Sequence, residues 1–135
     1  MEFTTQICTT EEQSKRLLAL GLKTATADCV ATSIGSKDRL IHTEEPIYVT
    51  ESLNSKKIPN YPAWSLHRLL AMLTYQVIYN GTKYEPVIAV DGMAYGDVCD
   101  NDPVVGWSGD LYTDIIDCIE WSIGQEQFNP DYLKR

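Results

Sequence analysis

Apolar residues recur at helical spacing in three places along the chain and cluster in strand-like runs between them. Near the amino end, Thr9 and Thr10 each stand three residues before Glu12 and Gln13, giving two overlapping capping-box registers ahead of Leu17 and Leu20. The pattern predicts a short helix stopped by Gly21, with Leu22 folding back on its last turn. Over residues 23–50 the apolar positions gather instead into β-branched and aromatic clusters at 29–32, 40–43 and 47–50, separated by turn-rich stretches at 35–38 and 44–46. These read as short strands of a meander. Residues 51–62 are polar and contain Pro59 and Pro62, which predicts an extended connector.

Trp64 and Ser65 open a second helix, because Leu66, Leu69, Leu70 and Leu73 share one arc of a helical wheel and serine is a good cap. A strand over 75–79 then meets Asn80-Gly81, a dipeptide that favours a tight hairpin turn, and 83–90 returns as its partner. Asp91-Gly92 and Asp102-Pro103 mark further turns around short strands at 93–95 and 104–107. A third helix is predicted over about 110–123, capped by Ser108 or Asp110 and terminated by Gly124. Leu111, Ile115, Cys118 and Ile119 form its apolar face, while Asp110, Asp114 and Asp117 lie on the other flank with Trp121 continuing their ridge. The sum is an α+β fold: three helices on a small, mainly antiparallel sheet, in the order helix, strands, helix, strands, helix. One compact domain over 1–135 is expected, with 125–135 as a flexible tail or a single turn.

Charge sharpens this picture. Between Lys83 and Lys134 there is no lysine or arginine, yet eleven acidic residues. Up to residue 67 the chain carries seven cations and eight anions, and from 68 onward four and eleven, so the two parts contribute −1 and −7. Such a field repels nucleic acid and anionic membranes and attracts cations or basic surfaces. No window reaches the roughly 20 apolar residues that span a bilayer, and the first residues have no basic start or apolar run. A cytoplasmic protein that binds neither membrane nor nucleic acid is expected.

Candidate chemistry is sparse. Cys8, Cys29, Cys99 and Cys118 are too far apart in sequence for a compact zinc half-site and read as free, mostly buried thiols. Asp97, Asp100 and Asp102, with Asp91 and Asp110 nearby, are oxygen donors of the kind that hold calcium or magnesium. Pro103 and Val104 nevertheless occupy positions where an EF-hand needs ligands or a turn, so a solvated acidic loop is the better reading. Gly106-Trp107-Ser108-Gly109-Asp110 lacks the final glycine of a nucleophile elbow and reads as a turn into a helix cap. His42 and His67 have no triad or ligand partners near them in sequence. Aromatics at 61–64 are placed to plug the end of a core. The ridge of Asp114, Asp117 and Trp121 remains as a protein-binding face for a basic partner or a second copy of the chain. No cofactor is expected.

Three stretches carry a resemblance: Glu12-Gln13-Ser14-Lys15-Arg16-Leu17-Leu18 with Gly21-Leu22 and Ala27-Asp28; Ile58-Pro59 with Pro62-Ala63-Trp64-Ser65-Leu66; and residues 114–121. Together they resemble a group of small uncharacterised proteins encoded by phages, prophages and mobile elements of gut Bacteroides and relatives. That group has no activity whose residues could be carried over. The resemblance implies a small accessory protein inside a bacterial host cell that binds rather than transforms; with the charge pattern, the expectation is a non-enzymatic protein working through protein contacts of its acidic surface. The opposing expectation is a divalent-metal-dependent hydrolase or nuclease-like enzyme built on Asp97, Asp100 and Asp102.

Overall fold

A computed structural model describes residue 6 and residues 8–34, 37–42, 60–89, 92–100 and 102–134, with backbone alone over 32–34 and 37–42 and at 60. The strand expected at 47–50, the connector at 51–59, the turn at 44–46 and Asp91 lie outside the described residues. The chain gathers into two compact units, Met1–Arg68 with Tyr132–Arg135, and Leu69–Asp131.

The first unit begins with helix α1, Glu11–Ala19. Thr10 is its cap: the Thr10 hydroxyl accepts from Gln13 N at 3.2 Å, and the Gln13 amide accepts from Thr10 N at 3.0 Å. Both partners of one predicted box are thus satisfied, and the Thr9 register is used differently, as described below. The helix ends as its glycine predicts. Gly21 takes φ +101°, and the amides of Gly21 and Leu22 return to Leu18 O and Leu17 O at 3.0 and 3.3 Å. Strands β1, Cys29–Ile34, β2, Lys37–His42, and β3, Asn60–Ala63, form an antiparallel sheet in the order β2-β1-β3. β3 occupies the end of the predicted connector. Among the described residues β3 is an edge strand, where Pro62 is accommodated because one side needs no donor. Leu22 bridges to Leu133, and Lys134 N donates to Gly21 O at 2.7 Å, so part of the predicted tail is tied to this unit.

Buried polar groups organise the unit's centre. Trp64 is fully buried; its indole donates to Thr26 Oγ1 at 3.0 Å and its amide to Thr9 Oγ1 at 3.1 Å. Thr9 N donates back to Trp64 O at 2.9 Å, and the Thr9 and Ser14 hydroxyls share a bond of 2.7 Å. Thr9 is therefore an internal link rather than a cap. Cys29, Ala31, Tyr61 and Ala63 form a buried cluster, with Cys8 packed against it.

Helix α2, Leu66–Met72, crosses from the first unit's last residues into the second. Ser65 caps it, accepting from Arg68 N at 3.2 Å. Asp28 holds that cap from β1's side, accepting from Ser65 N at 2.8 Å and from its hydroxyl at 2.5 Å. Burial pushes the Asp28 carboxyl up, but the hydroxyl and amide of Ser65 and lesser donors outweigh it, leaving the group below its ordinary range. A carboxyl with a depressed folded value stabilises the fold above its unfolded value and loses that contribution as pH falls through the folded one. Urea denaturation across pH is therefore expected to show constant stability near neutrality and a decline through the acid range. Ser65→Ala should lower the neutral plateau by about 1 kcal/mol, as loss of a cap does, and flatten the acid decline.

The second unit is an antiparallel sheet and a helix. Strands β4, Val77–Tyr79, β5, Thr82–Ala89, β6, Gly92–Asp97, and β7, Pro103–Gly106, run in the order β4-β5-β6-β7. The predicted hairpin turn is present, with Asn80 at φ 52° and Gly81 at φ 78°, the primed geometry that matches strand twist. Gln127 closes the β4 edge: its amide accepts from Ile78 N at 2.8 Å and donates to Ile78 O at 2.7 Å. Helix α3, Leu111–Gly124, packs on β6 and β7 and is capped by Asp110, which accepts from Thr113 N at 3.2 Å. Gly124 is its last helical residue and not its terminator. Glu126 takes the left-handed position at φ 58°, with Glu126 N and Gln127 N returning to Ile123 O and Ser122 O at 2.9 and 3.0 Å.

The α+β class and the order of helices and strand groups agree with the sequence pattern, with the strands divided between two antiparallel sheets. Among the described residues no helix is long and apolar enough to cross a membrane.

Candidate binding site

Strand alternation gives the second sheet two different faces. Tyr95 of β6 turns towards α3, where Trp121 sits among the rings of Tyr79, Tyr84 and Tyr95 at centroid distances of 5.7, 5.8 and 5.3 Å. Ala94 therefore faces the other way, beside Val87, its register partner on β5. On that second face Val87, Ala94, Pro103 and Trp107 line a cleft of about 300 Å³. Trp107 is 44% exposed although it borders the cleft.

The loop that carries Trp107 is backbone-strained. Gly106 stands at φ +103°, where a β-carbon would strike Met93 O, and Gly109 at φ +98°. Between them Trp107 itself takes φ 64°, a region that costs a bulky residue about 1–3 kcal/mol. Something must hold it there. Trp107 N donates to Met93 O at 2.8 Å, and the next residue is gripped by Asp114, whose Oδ1 accepts from Ser108 N at 2.7 Å and Ser108 Oγ at 2.5 Å. Asp114 Oδ2 accepts from Met93 N at 3.1 Å. Near the start of α3 this carboxylate also meets the positive end of the helix dipole. Gly92 is required beside it, because a β-carbon there would come within 2.6 Å of Oδ2.

No protein-family model, curated protein or solved structure matches the chain.

The predicted ridge of Asp114, Asp117 and Trp121 is not one exposed face. Asp114 is 0% exposed, a correction to its expected place on the wet flank, because the loop before α3 folds back over the helix's first turn and supplies two donors from Ser108, while the start of β6 supplies a third from Met93. Trp121 is half-buried and committed to its aromatic cluster, and Asp117 is half-buried. α3 buries more of its circumference than the wheel suggests, since Tyr112, Ile116 and Ser122 join Ile115, Cys118 and Ile119 inside.

The acidic trio has a different arrangement from a metal centre. Asp97 Oδ1 accepts from Cys99 N at 2.6 Å and its amide donates to Asp102 O at 3.0 Å, closing the turn between β6 and β7, while Asp100 and Asp102 are exposed. Among the described residues no three of His, Cys, Asp or Glu are placed to share an ion. None of the four cysteines is in a disulfide; Cys29 and Cys118 are buried, Cys8 is half-buried and Cys99 is exposed. Burial first, and the neighbouring Asp28 second, push the Cys29 thiol up to about 12, so it stays protonated near neutrality. Burial likewise raises Cys118 to about 12. Neither has the thiolate character of a nucleophile. Among the described residues the cleft's lining is apolar apart from one indole, which suits the burial of an apolar group.

Trp107 was hidden in sequence inside a segment correctly readable as a turn into a helix cap. The available signal was the pair of glycines flanking Trp107-Ser108, a spacing that permits positive φ on both sides of an aromatic residue.

Proposed function

We propose that this chain is a non-enzymatic accessory protein of a phage or mobile element, acting in the cytoplasm of a bacterial host through protein contacts of an acidic surface. The observation that carries the reading is how charge divides between the units. Leu69–Asp131 holds one cation, Lys83, against eleven Asp and Glu, a net of −10, whereas the remaining ten cations and eight anions leave the other unit at +2. A compact unit of that sign attracts basic protein surfaces, repels nucleic acid, and favours a basic partner over a like-charged copy of itself. The phage and host-cell setting comes from the resemblance of residues 12–22, 58–66 and 114–121.

Isothermal titration tests this directly. Polylysine is expected to bind, with affinity falling as salt rises, while polyglutamate and duplex DNA give no signal. Absence of polylysine binding at low salt defeats the proposal. Titration with magnesium, manganese and calcium is expected to be silent. Micromolar binding of one of these ions, lost in Asp100→Ala, would overturn the proposal in favour of a metal-dependent hydrolase.

A further inference from the structure

The cleft under Trp107 deepens that reading, on which this inference rests. We propose that it receives one bulky apolar side chain of a basic polypeptide segment, with Trp107 as the anchor ring. Three observations converge on this occupant.

The first is size and lining. About 300 Å³ bordered, among the described residues, by Val87, Ala94, Pro103 and Trp107 suits a single leucine- or phenylalanine-sized group, and a lining this largely apolar offers little to orient a small polar ligand. The second is charge. Asp102 precedes the lining residue Pro103, Asp110 follows Trp107 by three positions, and Glu85 shares the strand face of Val87; Asp102 and Asp110 are exposed and Glu85 is half-buried. Lys83, two residues before Glu85 on the same strand face, is the sole cation of the unit. A segment entering the cleft is therefore flanked mainly by carboxylates, which selects lysine or arginine on either side of its apolar residue. The third is strain. A half-exposed tryptophan is held at φ 64° between two glycines, and the buried Asp114 fastens the residue after it. Packing within the unit alone would be better served by a residue without that penalty, whereas a pre-placed ring lowers the ordering cost of binding and is the residue type that most often dominates an interface.

The probe is a synthetic nonapeptide of lysines with one central leucine, titrated into the full chain and followed by calorimetry and by the indole proton signals of the three tryptophans. The Trp107 signal is expected to shift while the signal of the buried Trp64 stays in place. Replacing the central leucine by glycine should weaken binding roughly tenfold or more, and replacing the lysines by glutamates should abolish it. Trp107→Gly and Trp107→Asn, which both accept positive φ, should weaken the leucine peptide by roughly tenfold with no loss of thermal stability. Equal affinity for the leucine and glycine peptides overturns the cleft inference while leaving the acidic protein-binding reading intact. Failure of every lysine peptide overturns both. Equal binding of a serine-flanked leucine peptide overturns the basic character of the occupant. Loss of stability in both Trp107 variants with unchanged peptide affinity makes the ring a packing residue and sinks the inference.

Discussion

Trp64→Ala is expected to destabilise the protein by about 3–5 kcal/mol, the range for removing a large aromatic from a tightly packed interior. Trp64 is 0% exposed and heads the fully buried side chains by volume. Its loss leaves a cavity and also removes the indole donor from Thr26 Oγ1, which lies 38 positions away in sequence. The main-chain links to Thr9 survive in principle, but they run through a segment that the ring itself positions. Trp64→Phe separates the two contributions: it keeps most of the volume, loses the hydrogen bond, and should cost about 1–3 kcal/mol. Urea denaturation followed by far-ultraviolet circular dichroism measures both. A loss below about 1 kcal/mol for alanine would show that this ring does not organise the unit.

Asp114→Ala should cost about 3–5 kcal/mol, for a different reason. The substitution leaves the amides of Met93 and Ser108 and the Ser108 hydroxyl without their acceptor. Asp114→Asn is no remedy, because its NH2 group must face one of those donors. Hydrogen exchange gives a site-specific reading: the Met93 and Ser108 amides should exchange much faster in Asp114→Ala, with the Thr10–Gln13 cap of α1 unaffected. Asp117→Ala, at a half-buried neighbouring position on the same helix, is the comparison and should cost less than half as much. Asp114 also fixes the residue after Trp107, so its loss should reduce peptide affinity together with stability. Trp107→Gly, by contrast, should reduce affinity alone. Equal stability of Asp114→Ala and the parent protein would contradict the role assigned to the buried carboxylate.

Much of the local structure was legible because its causes are local. Thr10 with Gln13, Gly21 with Leu22, Ser65 before α2, Asn80-Gly81, and Asp110 before α3 each act within a few residues of backbone, where capping and positive φ follow from side-chain type. The exceptions are instructive. Glu126 takes the left-handed position that Gly124 was expected to serve, because the Schellman bonds form two residues further on, around Gln125, Glu126 and Gln127. Gln127 is in turn held there by the edge of β4, a partner 49 positions away. β3 contains a proline and looks like a connector until β1 offers it an edge to join.

The site shows the same division more sharply. Residue types and spacing establish an acidic later half, a tight hairpin, a third helix with its cap, and an absence of catalytic motifs, since each is a property of neighbours along the chain. Folding settles what neighbours cannot. A helical wheel assigns Asp114 to solvent because it counts only the helix's own faces, whereas the returning loop and the start of β6 bring three donors to that carboxylate and bury it. Trp121, which looks like an exposed anchor, is drawn into a ring cluster by Tyr79, Tyr84 and Tyr95 from three strands. Trp107, unremarked in a turn, is left half-exposed above an apolar cleft. Burial is decided by contacts between residues far apart in the chain, and those contacts exist only once the strands and the helix have met.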